Sequence, residues 1–279
     1  MAVIRDNFEK WLRNITSEDI DTPDELYRKA EEKARDMEYG AKDLSLFSQN
    51  LKAFEKEEFF SYSGLYLASV SNNAQEREIT LHLEDIGKKI GFIGYKNTKR
   101  LVVEGDIGSQ GGYQMEAGKM AVRGSAARSV GKHMRGGEIV IKGNAGYWAG
   151  EGMTGGKLTI EGNVGDIIGL GMENGEICVQ GNAGNYVGRY MKGGSITIMG
   201  DVEHWLGQYM SGGEIVVKGN ARNAVGNMMR GGSIIIEGDA GELVGWNMQS
   251  GEIWVKGRIK SLCDMKGGKI VQFFQIGSY

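Results

Sequence analysis

From Leu101 onward, short apolar segments alternate with glycine-rich segments at a constant period of 19 residues. One methionine recurs in every repeat, and glycine columns that begin at Gly112, Gly118 and Gly124 keep the same spacing. The methionines are Met115, Met134, Met153, Met172, Met191, Met210, Met229 and Met248. Four columns in one register do not arise from composition alone. A fixed period near 20 residues is typical of a solenoid, in which each repeat stacks on its neighbours.

Each repeat contains one short β-branched segment, as at residues 139–141, 196–198 and 234–236. These segments favour strands, they are too short for helices, and the glycines around them disfavour helix. One repeat is therefore predicted to form one coil of a β-helix, closed by turns where glycine permits a positive φ or a close backbone approach. The predicted fold class is mainly β: a single-stranded β-helix (solenoid) of 19-residue coils with an N-terminal α-helical extension.

Polar residues keep the same period. An Asn or Asp follows the glycine column that begins at Gly124, which predicts a coil corner where stacked side chains form a ladder. This column contains Asn144, Asn163, Asn182, Asp201, Asn220 and Asp239. Lys119, Glu138, Lys157 and Glu176 are predicted to be vertical neighbours of alternating charge, which helps to fix the register of the coils.

The first part of the chain lacks the repeat. Residues 1–77 are predicted to form a helical arm or cap and residues 78–279 the β-helix, with regular repeats at about 101–257. Pro23 begins a predicted helix that ends at Gly40. The apolar positions of a second amphipathic stretch are Leu44, Phe47, Leu51 and Phe54. Because the end of a β-helix exposes an unpaired strand edge, the arm either covers this edge or docks onto a partner subunit.

Composition narrows the class of protein. The chain has 46 glycines but one proline, which excludes collagen, and apolar residues between the glycines exclude a flexible linker. A net charge of −3 argues against a nucleic-acid partner. No apolar segment is long enough to span a membrane, and the N terminus does not resemble a signal peptide. Two cysteines indicate a reducing compartment, so a cytoplasmic protein is expected.

Residues that carry chemistry are few and scattered. The histidines are His82, His133 and His204, and no two share a column of the repeat. Cys178 is predicted to be a small packing residue, and Cys263 has no base nearby in sequence. Residues 150–155 satisfy G-x-G-x-x-G, but these glycines belong to the repeat and no long helix is expected after them. We therefore predict no catalytic, cofactor-binding or metal site in this chain.

Aromatic residues occupy two columns of the repeat and the end of the sequence. If the columns face outward, they form stripes of the kind enriched at protein interfaces. The alternative is that one column folds inward or lies under the helical arm. The last aromatic residues either cap the final coil or meet a partner. The candidate interface residues are Trp148, Tyr186 and Trp205 in one column, Tyr190 and Tyr209 in the other, and Phe273 and Phe274.

Segments 134–152 and 210–228 follow the pattern MxGGxIxIxGNAGxxxG. This pattern resembles the repeats of the glycine-rich, β-helical subunit of formylmethanofuran dehydrogenase and, more distantly, the C-terminal glycine-rich domain of the glutamate synthase large subunit. The resemblance covers residues 97–257, and residues 1–77 have no counterpart in it. It implies a right-handed β-helix that binds no cofactor itself and holds catalytic subunits together. Molybdenum or tungsten pterin and a binuclear metal centre are implied only in partner subunits.

Three functions are compatible with these observations. The first is a non-catalytic scaffold subunit in a formylmethanofuran dehydrogenase-like or formyltransferase/hydrolase-like complex of one-carbon metabolism. The second is a free-standing glutamate synthase-type domain. The third is a self-associating adaptor solenoid outside any enzyme complex. In the first two the partners are protein subunits of an enzyme complex, and a homo-oligomer is a further expectation.

Overall fold

The computed structural model describes residues 1–16, 22–54, 56 and 60–273. Eleven strands form one parallel sheet in sequential order. The strands are β1 (Glu78–His82), β2 (Arg100–Glu104), β3 (Lys119–Val122), β4 (Glu138–Ile141), β5 (Thr154–Ile160), β6 (Asn174–Val179), β7 (Ser195–Ile198), β8 (Glu214–Val217), β9 (Arg230–Ile236), β10 (Ser250–Val255) and β11 (Lys269–Gln272). This arrangement is a β-solenoid with an N-terminal helical segment, so the predicted fold class is confirmed.

The 19-residue period sets the pairing of the strands from β2 to β10. Ile139 pairs with Leu158, and Leu158 pairs with Ile177 in the next coil. The side chains of this column and of the methionine column are fully buried, so the interior of the solenoid is filled. The end coils differ in length, since Glu78 of β1 pairs with Arg100. The first coil is therefore longer than the regular 19-residue coils.

The corner ladder also forms as predicted. The backbone N–H of Asn163 donates to the Oδ1 of Asn144 at 2.8 Å, and the N–H of Asn182 donates to the Oδ1 of Asn163 at 2.8 Å. The N–H of Asp201 continues the series with the Oδ1 of Asn182. Each side chain satisfies a backbone donor that no strand neighbour reaches, which ties consecutive coils together at the corner.

Among the described residues before the solenoid there are four α-helices: α1 (Ala2–Arg13), α2 (Pro23–Ala34), α3 (Ala41–Gln49) and α4 (Ser63–Asn73). The helix that begins at Pro23 ends at Ala34, so the predicted end at Gly40 is wrong. Gly40 is instead the N-cap of α3, where its N–H donates to the carboxylate of Asp43 at 3.2 Å. None of the helices in the described part of the chain is both long enough and apolar enough to cross a membrane.

The helices cover the N-terminal end of the solenoid. Helix α3 packs along β1, and the Ser48 Oγ in α3 accepts a hydrogen bond from the backbone N–H of His82 in β1 at 2.8 Å. Helix α4, for which the sequence pattern gives no prediction, is buried along most of its length and packs against α2. The Nδ2 of Asn72 in α4 donates to the carbonyl of Lys96 in the first coil at 3.2 Å. This geometry agrees with a cap over the first strand edge.

A polar contact joins α2 to the first coils. The hydroxyl of Tyr95 and the ammonium of Lys96 donate to the Asp24 carboxylate at 2.7 and 2.6 Å. Burial raises the pKa of Asp24, but the hydrogen bonds from Lys96 and Tyr95 outweigh it, so the pKa lies below its usual value. The folded state therefore favours the ionised carboxylate.

A small pH-dependent contribution to stability follows from this contact. Because the pKa of Asp24 is lowered on folding, its contribution is complete above the ordinary carboxyl pKa and is lost as the pH falls through the folded value. Asp24→Asn is expected to lower the free energy of unfolding by less than about 1 kcal/mol at neutral pH, since the side chain is largely exposed. Urea denaturation should show this difference disappearing below about pH 4. A difference that grows in acid would contradict the assignment.

Candidate functional site

The aromatic columns lie, in each coil, between two buried columns: the one that contains Ala183 and Val202, and the methionine column. Tyr186 and Trp205 have φ values of +60° and +66°, and Tyr190 and Tyr209 have values of +56° and +57°. Such values are uncommon for residues with bulky side chains and occur here because each coil turns twice between its buried residues. All four side chains point outward, so the alternative of an inward-facing column is wrong for them.

The outward rings stack in pairs across neighbouring coils. Tyr186 and Trp205 have ring centroids 6.1 Å apart and planes within 9° of parallel. Tyr190 and Tyr209 have centroids 4.9 Å apart and planes within 8°. Coils about 4.8 Å apart hold equivalent rings at stacking distance without further adjustment. The ring of Trp246 lies 6.3 Å from that of Trp205. We call these five residues the aromatic face.

Two aromatic residues depart from the predicted column. Trp148 is half-buried and stands apart from Tyr186, because Ile167 occupies the coil between them; its ring neighbour is Tyr147 at 6.2 Å. Trp246 is 38% exposed and was not predicted. Its column holds one other aromatic residue in the regular repeats, Tyr113, which lies seven coils away, so no stripe of neighbouring rings identified it.

Arg189 was also missed, and it joins the two stacked pairs. Its guanidinium lies 5.3 Å from the ring centroid of Tyr186 and 5.0 Å from that of Tyr190, which is cation–π geometry. Its Nε is buried without a hydrogen-bond partner among the described residues. The aromatic face therefore has a positive charge held against two of its rings.

A hydrogen-bonded ladder runs beneath the same surface. The Nε2 of Gln208 donates to the Oδ1 of Asn227 at 3.0 Å, and the Nδ2 of Asn227 donates to the carbonyl of Trp246 at 3.1 Å. Gln208 and Asn227 are both buried. Hydrogen-bonded buried amides hold the local backbone in one conformation, so the rings above them are presented on a fixed support.

The aromatic residues near the end of the sequence lie on another side of the solenoid. Phe273 is 49% exposed and stacks on Trp254, with centroids 5.7 Å apart. The ammonium of Lys269 lies 4.9 Å from the Trp254 ring centroid. Phe274 lies outside the described residues. The structure therefore does not bring Phe273 together with the aromatic face.

The structure places the other chemical candidates without assembling a reactive site. Cys178 is half-buried in β6, and the alternation along the strand points its side chain away from the core, so its assignment as a small packing residue stays a prediction. Residues 150–155 run from a turn into β5, which excludes the strand–turn–helix context of a dinucleotide site. Within residues 1–16, 22–54, 56 and 60–273, no group of three His, Cys, Asp or Glu side chains is arranged to hold a metal.

Comparison with known proteins adds no family assignment. No model of a protein family matches the chain, and no curated protein matches it. The resemblance of the repeat to the β-helical subunit of formylmethanofuran dehydrogenase therefore stays a prediction. The candidate site is assigned from geometry alone: an outward, stacked and partly buried aromatic surface on a filled solenoid.

Proposed function

We propose that this chain is a non-catalytic scaffold subunit of an enzyme complex in one-carbon metabolism, of the formylmethanofuran dehydrogenase-like or formyltransferase/hydrolase-like kind. The observation that carries the proposal is the aromatic face, which presents two stacked ring pairs and Arg189 outward from a filled solenoid. Trp, Tyr and Arg are the residues that contribute most to binding energy at protein interfaces.

The supporting structure makes this surface suitable for binding proteins. Tyr190 is 45% exposed, and Trp205 and Tyr209 are half-buried, so each ring keeps area to contribute to a complex. The rings are held by stacking and by the ladder of Gln208 and Asn227 below them. A rigid surface loses little side-chain entropy on association, which favours affinity.

In this proposal the chemistry belongs to partner subunits. The inward columns of the solenoid are filled by apolar side chains, so the coils contribute stiffness and surface. A molybdenum or tungsten pterin and a binuclear metal centre would be held by partners, and the purified chain alone is expected to show no formyl-transfer or redox turnover. Turnover by the isolated chain would overturn the proposal.

The test is affinity capture of the tagged chain from the cells that produce it, with captured proteins identified by mass spectrometry. Wild type is expected to recover pterin-dependent dehydrogenase, amidohydrolase or formyltransferase chains. The double substitution Trp205→Ala and Tyr209→Ala is expected to lower their recovery at least about tenfold, because truncation of two central aromatic residues removes several kcal/mol of binding energy. The control is Leu46→Ala, an exposed apolar residue of α3 outside the aromatic face.

The remaining outcomes distinguish the alternatives. Recovery of glutamate synthase chains would replace the proposal with the free-standing glutamate synthase-type domain. Recovery of the chain alone would favour an adaptor solenoid. Equal recovery of one-carbon enzymes by wild type and the double variant would show that another surface makes the contact.

A further inference from the structure

The outer face of the parallel sheet carries a continuous column of uncharged side chains, each of them small or apolar. This column forms the middle of what we call the outer sheet face, and it points away from the core on strands β2 to β10. Its members are Val102, Ala121, Val140, Thr159, Cys178, Thr197, Val216, Ile235 and Trp254. All are half-buried except Val102, which is buried. Parallel sheets are usually covered on both faces, whereas here the central column of the outer face stays partly exposed from β3 to β10.

Two charged columns flank the apolar column, one on each side. The residues two positions before and two positions after the central residue of a strand also point outward. In five strands these two residues have opposite charge. The pairs are Arg100 and Glu104, Glu138 and Lys142, Lys157 and Glu161, Glu214 and Lys218, and Glu252 and Lys256. One strand has like charges, Lys119 and Arg123. Both pair with carboxylates of adjacent coils, as do the lysines of the oppositely charged strands, Lys142, Lys157, Lys218 and Lys256.

We propose that the outer sheet face binds the same face of a second copy of this chain, about a two-fold axis parallel to the solenoid axis. This axis keeps the order of the coils and reverses the direction of each strand. The central column of one copy then lies on the central column of the other, and each leading charged residue lies opposite the trailing charged residue of the same coil. Glu214 of one copy therefore faces Lys218 of the other, and Ser233 faces Glu237.

The area of the face fits a dimer of ordinary size. Five residues along a strand cover about 16 Å, and nine strands stacked at about 4.8 Å cover about 40 Å. Each copy would bury about 650 Å², or about 1,300 Å² in total, which lies within the range of specific protein interfaces. The surface is self-complementary in both its apolar centre and its charged borders, as an isologous interface requires.

Charge also disfavours a second possible dimer, in which the same two faces meet but the order of the coils is reversed. A two-fold axis along the strand that contains Thr197 would reverse the order of the coils. It would place Glu176 opposite Glu214 and Glu161 opposite Glu237. Like charges in contact across an interface cost affinity and suppress that mode of association. Shifting the axis by half a coil relieves these contacts but leaves one end of each face uncovered.

Three lysine substitutions in one column test the arrangement on the full chain. Sedimentation equilibrium is expected to show a wild-type dimer. Glu214→Lys should weaken the dimer at least about tenfold, since two new lysine–lysine contacts form per dimer. Ser233→Lys should not weaken it, because the new lysine faces Glu237 of the other copy, whose carboxylate already pairs with Lys218 and Lys256 of its own chain. Ser195→Lys is the matched control, since residue 195 faces Met199, and it should leave the dissociation constant unchanged.

Other outcomes overturn the proposal. A monomer at every concentration would remove the dimer. The same change in the dissociation constant for all three lysine variants would show that net charge controls association. A dimer tightened by Ser195→Lys would indicate that the two copies are shifted by half a coil. Val216→Arg places a charge in the centre of the face and should abolish the dimer, whereas Leu243→Arg, on another side of the solenoid, should not. A dimer that survives Val216→Arg uses another surface. Equal melting temperatures of the variants would exclude unfolding as the cause.

Discussion

Replacing Gly194 by valine is expected to destabilise the solenoid by at least about 3 kcal/mol. Gly194 has a φ of +81°, which a β-branched residue adopts only with strain. A Cβ there would lie 2.7 Å from the carbonyl oxygen of Gly175 and 2.9 Å from the carbonyl carbon of Asn174. Both atoms belong to the backbone of the preceding coil, so relief requires a shift of the stacked strands. Chemical denaturation of the full chain measures the loss.

Gly171→Asn is the matched control, since Gly171 also has a positive φ of +61°. A Cβ at this position would meet nothing within 4 Å, and Tyr190 and Asn247 in the same column adopt φ values of +56° and +54°. The change in the free energy of unfolding is expected to stay below about 1 kcal/mol. Similar losses for Gly194→Val and Gly171→Asn would show that close backbone approach is not what requires glycine at Gly194.

Phe8→Ala is expected to destabilise the helical cap by about 3–5 kcal/mol while leaving the distant coils folded. The Phe8 side chain is fully buried, and its ring lies 5.2 Å from those of Phe54 and Tyr66 and 5.3 Å from that of Phe47. Its removal leaves a cavity at the centre of the contacts that join α1 to α3 and α4. A solenoid transmits such a loss only to its neighbouring coils, because each coil contacts the next.

Amide hydrogen exchange measures the stability of the helical cap and of the distant coils separately. Protection should fall in α1 and α3 and along β1, and it should stay unchanged in β7 to β10. Lys10→Ala, at an exposed site of α1, serves as the control and should change neither region. Uniform loss of protection across the chain would contradict a cap that is stabilised separately from the regular coils.

The regular part of the solenoid was predictable because each coil repeats the same local requirements. Asn163 and Asn182 stand where a corner donor needs an acceptor, and a branched residue such as Ile196 stands at the inward strand position. Each requirement is met by residues 19 positions apart, so it appears in the sequence as a residue type that recurs with this period. The stacking of coils and the placement of the ladder therefore follow from the order of residues.

The helical cap was less predictable. Helix α4 is buried from Ser63 to Ser71, so it has no polar face to mark a helical period. Helix α2 ends at Ala34, and Asp43 supports a new helix start at Gly40, whereas a glycine after an apolar face indicates a helix end equally well. Both features depend on tertiary contacts that the sequence pattern does not display.

The candidate site was predicted in part. The period placed Tyr190 next to Tyr209 and Tyr186 next to Trp205, but it did not determine the side on which they emerge, because that depends on positive φ values at non-glycine residues. Arg189 lies between two aromatic columns, and its guanidinium contacts one ring of each, Tyr186 and Tyr190. Its role depends on ring geometry, for which sequence spacing has no signal.

In the proposed function, the aromatic face holds catalytic subunits of a one-carbon enzyme complex. The most direct test places a photo-crosslinking amino acid at Tyr190 in the cells that produce the protein and identifies the crosslinked chains by mass spectrometry. Crosslinks from position 190 to dehydrogenase, amidohydrolase or formyltransferase chains, with none from the control position Leu46, are the predicted result. Crosslinks to no other protein, or the same proteins from both positions, would contradict the account.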